Sequence, residues 1–278
     1  MPSLGEVLLV ATIAGCATGI GALPTLVTDR VSHRVYDAAL GLAAGVMIGA
    51  AVFALVVPGL DLGSPWEVVA GIVLGGGFLL AANELLPHLH LHFRGEQVEG
   101  TVALEERNPA EAISTEPLEM AEDPYRPADD LRRAILVGAT VTIHNVPEGL
   151  AVGIAFASGE AGLGFAIATA IAVQNVPDGF AMAVPATRAG VSKTKTLLYT
   201  TISGGVPEPI AAVAGFALVA VVTDLFPLAA GFAAGAMIAV VFRELVPSSH
   251  GHGYADTATA AFVLGFAVML VVDTVLAV

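Results

Sequence analysis

Stretches of apolar residues long enough to cross a bilayer recur along this chain, near 6–28, 36–59, 66–91, 131–156, 162–187, 196–222, 225–246 and 256–278. A helix rises 1.5 Å per residue, so a run of about twenty residues matches the ~30 Å hydrocarbon core. Lipid offers no hydrogen-bond partner to a peptide group, and a helix satisfies its own. The runs therefore predict an all-α membrane protein with eight transmembrane helices, three before a long polar connection and five after it. Composition agrees, with 56% hydrophobic and 13% charged residues, about half the charged share of a soluble domain. MPSLGEV has no basic residue of the kind that opens a cleavable signal, so the first span is expected to stay in the chain.

The eleven Lys and Arg residues set an orientation. They fall around the connections between spans 1 and 2, 3 and 4, and 5 and 6, with Arg243 near the end of span 7. The other connections and both tails have none. By the bias of basic residues toward the cytoplasm, both termini are expected outside and the 3–4 loop inside. The domain reading is 1–92 for helices 1–3, 93–130 for an acidic cytoplasmic linker without packed structure, and 131–278 for helices 4–8. Much of the net charge of −14 lies in the loops, and no nucleic-acid partner is expected. The single cysteine, Cys16, allows no intrachain disulfide.

Two stretches stand out inside the apolar runs: HNVPEG at 144–149 and QNVPDG at 174–179. Positions four apart share a helix face, which pairs His144 with Glu148 and Gln174 with Asp178. Asn145 and Asn175 lie about 100° round and reach a neighbouring part of the same cavity. Pro147 and Pro177 lack an N–H and free the carbonyls of Ile143 and Val173. At membrane depth, freed carbonyls are tolerated where other groups or a wet cavity meet them.

Depth ties these residues to others. His144, Gln174 and Glu208 (in GGVPEPIAA) each lie about twelve residues, or about 18 Å, into their spans, and Met47 about eleven. One level of the membrane thus receives an imidazole, amides, three carboxylates and a thioether. The carboxylates repel one another, and either protons or a bound cation must neutralise them. Oxygen ligands alone suit Mg²⁺, Ca²⁺ or Na⁺, whereas His and Met shift the preference toward Zn²⁺, Fe²⁺, Mn²⁺ or Cd²⁺. Taken singly, a membrane proline is a packing kink, Met47 is core, and an Asn or Gln is an interhelical hydrogen-bonding group. Their recurrence at matched depth favours cation handling.

HNVPEG, QNVPDG and the EP pair of the next span resemble the ZIP (Zrt/Irt-like) family of divalent-metal transporters, in its GufA-type branch. The resemblance implies a primary metal site from Met47, His144, Glu148, Gln174, Asp178 and Glu208. Some members hold a second metal through the Asn after the motif His and an Asp after the motif Gln. Here those positions are Asn145 and Asn175, so one strong site and a weaker second one are expected. Asp178 stands where Glu is usual and shortens that ligand by one methylene.

The function expected is uptake of divalent transition metals, Zn²⁺ first, into the cytoplasm across the plasma membrane, with the metal as cargo and no cofactor. Release is expected to be aided by protons competing with metal for the same lone pairs. Asp61 and Asp273, at the outer ends of spans 2 and 8, are expected to concentrate cations at an entrance. Asp37, Asn83, Glu84, His88, His90, His92, Glu244, His250 and His252 are expected to form a low-affinity exit relay. Arg243, where several members have His, is expected to pair with Glu244. A homodimer is implied by the resemblance. The rival reading is a metal-selective channel with the same cluster as a passive filter. No enzymatic activity is expected, because HNVPEG lacks the His-Glu adjacency of a zinc-protease helix.

Overall fold

Helix starts and stops in this chain follow local chemistry. Ser3 and Glu6 cap the first helix reciprocally, meeting two backbone donors that lipid would leave bare. Prolines open later helices at Pro65, Pro127 and Pro207, where the missing N–H costs nothing. Three tight connections turn on Gly159, Gly190 and Gly253, with φ of 90°, 79° and 86°, a left-handed geometry that side chains resist.

The computed structural model describes residues 2–27, 31–85 and 127–276. These form long helical rods with no strand among the described residues: α1 (Leu4–Val27), α2 (His33–Leu62), α3 (Pro65–Leu85), α4 (Pro127–Ala157), α5 (Ala161–Arg188), α6 (Lys193–Val221), α7 (Phe226–His250) and α8 (Ala255–Leu276). Seven stretches among the described residues are long and apolar enough to cross a membrane, one in each rod except α4. The expected fourth span, 131–156, falls in α4, a 31-residue helix of sufficient length that is not among those seven. The expected linker lies outside the described residues except for 127–130, which open α4 as helix. His88, His90 and His92 lie outside them too.

The rods pack as two groups. α1, α4, α5 and α6 contact one another, α2 pairs with α8 and α3 with α7, and the groups meet chiefly where α2 touches α5 and α7 touches α4. Glycine sets the closest approaches. Gly41 and Gly45 lie against the backbone of α8, and Gly71 and Gly75 against that of α7. Without a hydrophobic drive between helices in lipid, such close contact supplies the association.

α2 and α7 repeat one another. AAGVMI at 43–48 and AAGAMI at 233–238 are followed by π-helical turns, Ala50–Val56 and Val241–Leu245, and then by Pro58 and Pro247. A π-turn displaces the side chains beyond it around the helix and is common at functional sites. The earlier pairing of HNVPEG with QNVPDG is therefore one of two internal repeats.

Candidate metal centre

The centre forms where α4, α5 and α6 converge, and each helix reaches it by a backbone irregularity. Pro147 lies inside α4, and Pro177 and Pro185 inside α5. α6 breaks at Val206 and restarts at Pro207. That break puts Glu208 in the first turn of a new helical segment, where the positive end of the helix dipole favours a carboxylate. Gly149 and Gly179, which close the two motifs, bring the helices together. A β-carbon on Gly149 would fall on the backbone of Glu208, and one on Gly179 on that of Thr18.

His144, Asn145, Glu148, Gln174, Asn175, Asp178, Glu208 and Met47 are all buried, none more than 5% exposed. Gln174 Nε2 donates to Glu148 Oε1 at 2.5 Å. Asn175 Nδ2 donates to Glu208 Oε1 at 2.7 Å and to the Ala14 carbonyl at 2.9 Å. Asn145 Nδ2 donates to the Ser203 carbonyl at 2.6 Å. Glu148, Asp178 and Glu208 lie within electrostatic reach of one another, and Asp178 of His144. Met47 belongs to the apolar cluster that α2 shares with α4, α5 and α7.

With the amide nitrogens so used, one oxygen each of Asn145, Glu148, Gln174, Asn175, Asp178 and Glu208 is buried without a donor. Buried polar atoms normally have partners, so this group of acceptors is what a cation would satisfy. Among the described residues, no three His, Cys, Asp or Glu side chains already converge as a metal-holding set. Gln174 and Asn175 occupy with their NH₂ groups one carboxylate oxygen each of Glu148 and Glu208.

The family model described as ZIP Zinc transporter matches residues 5–273. This chain belongs to the ZIP family. It is 32% identical to the zinc transporter GufA of Myxococcus xanthus over 97% of this chain and 98% of that protein. It is 34% identical to zinc transporter ZIPB of Bordetella bronchiseptica, over 98% of this chain and 82% of that one. Human zinc transporter ZIP11 is 31% identical over 92% of this chain and 93% of its own length. The family and the apolar helices make it a multi-pass membrane protein.

The other expected site residues of this ZIP chain scatter. Glu244, in the π-turn of α7, reaches His144, with Oε2 2.7 Å from Nε2. The contact is ionic in distance but lacks hydrogen-bond alignment. It joins an expected exit residue to the centre and joins α7 to α4, while Arg243 is exposed. Asp37 is buried and accepts from His252 Nδ1 at 2.8 Å. The His252 ring stacks on His33, centroids 4.4 Å apart. His250 is engaged with the Val246 carbonyl, Ser249 and Thr259. Asn83 and Glu84 fall in the last turn of α3. Asp61 is exposed at the end of α2, and Asp273 is half-buried near the end of α8.

Sequence reading missed the carbonyls of Ser203 and Ala14, which anchor the two asparagines, because backbone acceptors leave no trace in residue identity. It also missed Tyr36, whose hydroxyl donates to the Ala181 carbonyl at 3.4 Å. A signal existed there, since Pro185 lies four residues after Ala181 and frees that carbonyl.

Proposed function

We propose that this chain carries divalent transition-metal ions, Zn²⁺ before Fe²⁺, Mn²⁺ or Cd²⁺, across the plasma membrane into the cytoplasm. The observation that carries this reading is the buried set of six donorless oxygens beside His144. A carboxylate near the bilayer centre costs about 2.5–3.5 kcal/mol on insertion scales, and three together repel unless positive charge enters. Imidazole and carboxylate ligands without thiolate suit borderline metals and permit release. Relatives named zinc transporters support Zn²⁺ as first choice.

His144, Glu148, Gln174, Asp178 and Glu208 hold the ion, with Met47 as a soft neighbour. Asn145 and Asn175 offer amide oxygens to a second, weaker one. Gln174 turns its oxygen inward when the ion arrives, releasing Glu148. α4 crosses the membrane as the eighth span. The Lys and Arg distribution supports both termini on the outer side.

The packing of α1, α4, α5 and α6 apart from α2, α3, α7 and α8 supports a carrier in which the first group moves against the second. Glu244 receives the ion from His144 on its way inward. The test is Zn²⁺ entry into sealed proteoliposomes containing a Zn²⁺-sensitive dye, wild type beside Glu148→Ala. Saturable entry that the substitution abolishes supports the reading. No entry by folded protein overturns it, and entry linear in concentration makes it a channel.

A further inference from the structure

α4 and α6 lie against each other through Gly149 and Gly153, but toward the α5–α6 connection they part. Between them runs a cavity of about 800 Å³ with almost entirely apolar walls. Gly138, Thr142, Val146 and Leu150, one per turn of α4, form one wall, α6 supplies the facing one, and Met182 and Ala186 of α5 line it as well. Twelve residues of α4 span about 18 Å, close to the depth of one leaflet of a ~30 Å hydrocarbon core. The cavity opens sideways. Val146, Ile202, Val206 and Ile210 on its rim are 40–66% exposed, on helices read here as membrane spans. The medium facing such an opening is lipid.

Its polar groups lie mainly toward one end. The hydroxyls of Thr142, Thr200 and Ser203 on the walls donate to carbonyls of their own helices. Thr196, in the first turn of α6, lines the cavity, is 1% exposed, and its hydroxyl has no partner. Next to it in sequence Lys195 is exposed, in the first turn of α6. A cation next to a helix N-terminus favours a phosphate, and the buried hydroxyl of the next residue suits an ester carbonyl.

We infer that the groove between α4 and α6 binds one phospholipid, with its phosphate at Lys195, its ester carbonyl on Thr196 and one acyl chain laid along Thr142, Val146 and Leu150. The acyl chain backs the metal centre. Ser203, whose carbonyl holds Asn145, and Pro207, beside Glu208, are both groove walls. Filling the groove therefore holds the α6 break against α4 and keeps water from reaching the carboxylates from the side. The inference rests on reading α4 and α6 as membrane spans, and not on what the centre transports.

The test is native mass spectrometry of the full chain purified in mild detergent, with phospholipid counted per protein. Wild type is expected to retain one phospholipid, anionic in preference to zwitterionic. Ala211→Phe with Ala214→Phe, which fills the groove, is expected to lower retention at least fivefold. Lys195→Glu is expected to abolish the anionic preference. Thr196→Val removes a hydroxyl without a protein partner, so the fold has nothing to lose, and retention is expected to fall severalfold with thermal stability unchanged. Equal retention by wild type, the filled variant and Thr196→Val overturns the inference, as does wild type carrying only detergent that added phospholipid does not displace.

Discussion

One amide of Asn175 is bonded both to the Glu208 carboxylate of α6 and to the Ala14 carbonyl of α1. A neutral donor thus stands between two acceptors on helices that would otherwise face each other oxygen to oxygen. Gln174 donates in the same way to the Glu148 carboxylate of α4. In the proposed centre such amides do weakly what a bound cation would do strongly.

Replacing Asn175 by Asp removes the donor and sets a fourth carboxylate beside Glu208. Leaving buried acceptors unpaired costs about 1–3 kcal/mol, so Asn175→Asp is expected to lower the melting temperature of metal-free protein by several degrees. Zn²⁺ is expected to raise it further than in wild type, because a stronger ligand set binds the folded state. A thermal-shift titration with ZnCl₂ checks both. A variant as stable as wild type without metal would show that the amide does not bridge.

Removing a carboxylate separates binding from folding. Glu148→Gln keeps the side chain's shape and lifts repulsion from Glu208 and Asp178. It is expected to fold at least as stably as wild type while Zn²⁺ uptake falls tenfold or more. Proteoliposome flux read beside the melting temperature decides, since loss of both together would mean a structural role.

In the proposed centre His144 supplies the nitrogen that favours borderline metals over hard ones. His144→Asn is expected to weaken Zn²⁺ more than Mn²⁺, narrowing the Zn²⁺:Mn²⁺ preference by about tenfold, roughly 1.4 kcal/mol at 25 °C. Glu244→Gln should leave that ratio within twofold and slow release. Competition for uptake between the two metals distinguishes the variants.

Close packing at the motif glycines predicts opposite outcomes for one added methyl. Gly149→Ala would drive its β-carbon into the Glu208 backbone, and overpacking of this kind costs about 1–3 kcal/mol. Gly77, in α3, has nothing within 4 Å of the same atom, so Gly77→Ala is expected to be neutral or stabilising by up to ~1 kcal/mol. Their melting temperatures, measured side by side, check the contrast.

Much of this architecture is written locally. The apolar runs gave rods whose ends lie within a few residues of those expected, except that α3 is described only to Leu85 and α4 begins at Pro127. Depth counting put His144, Gln174 and Glu208 at one level, and hydrogen bonds do join Gln174 to Glu148 and Asn175 to Glu208. The outer residues were less legible. His250 and His252 look alike in sequence, yet one caps its own helix and the other reaches Asp37, 215 positions away.

The sequence by itself determined the helices, their lengths and the few polar residues set deep within them, because lipid forces backbone bonding within each segment and penalises every polar exception. Only the tertiary structure decided which polar atoms meet. It set Glu244 against His144, gave the asparagines their backbone carbonyls, and left six buried oxygens of the motif residues and Glu208 without a donor. Those outcomes depend on the rotation and spacing of helices around one another. Rotation and spacing come from contacts between small residues far apart in the chain, and no single segment encodes them.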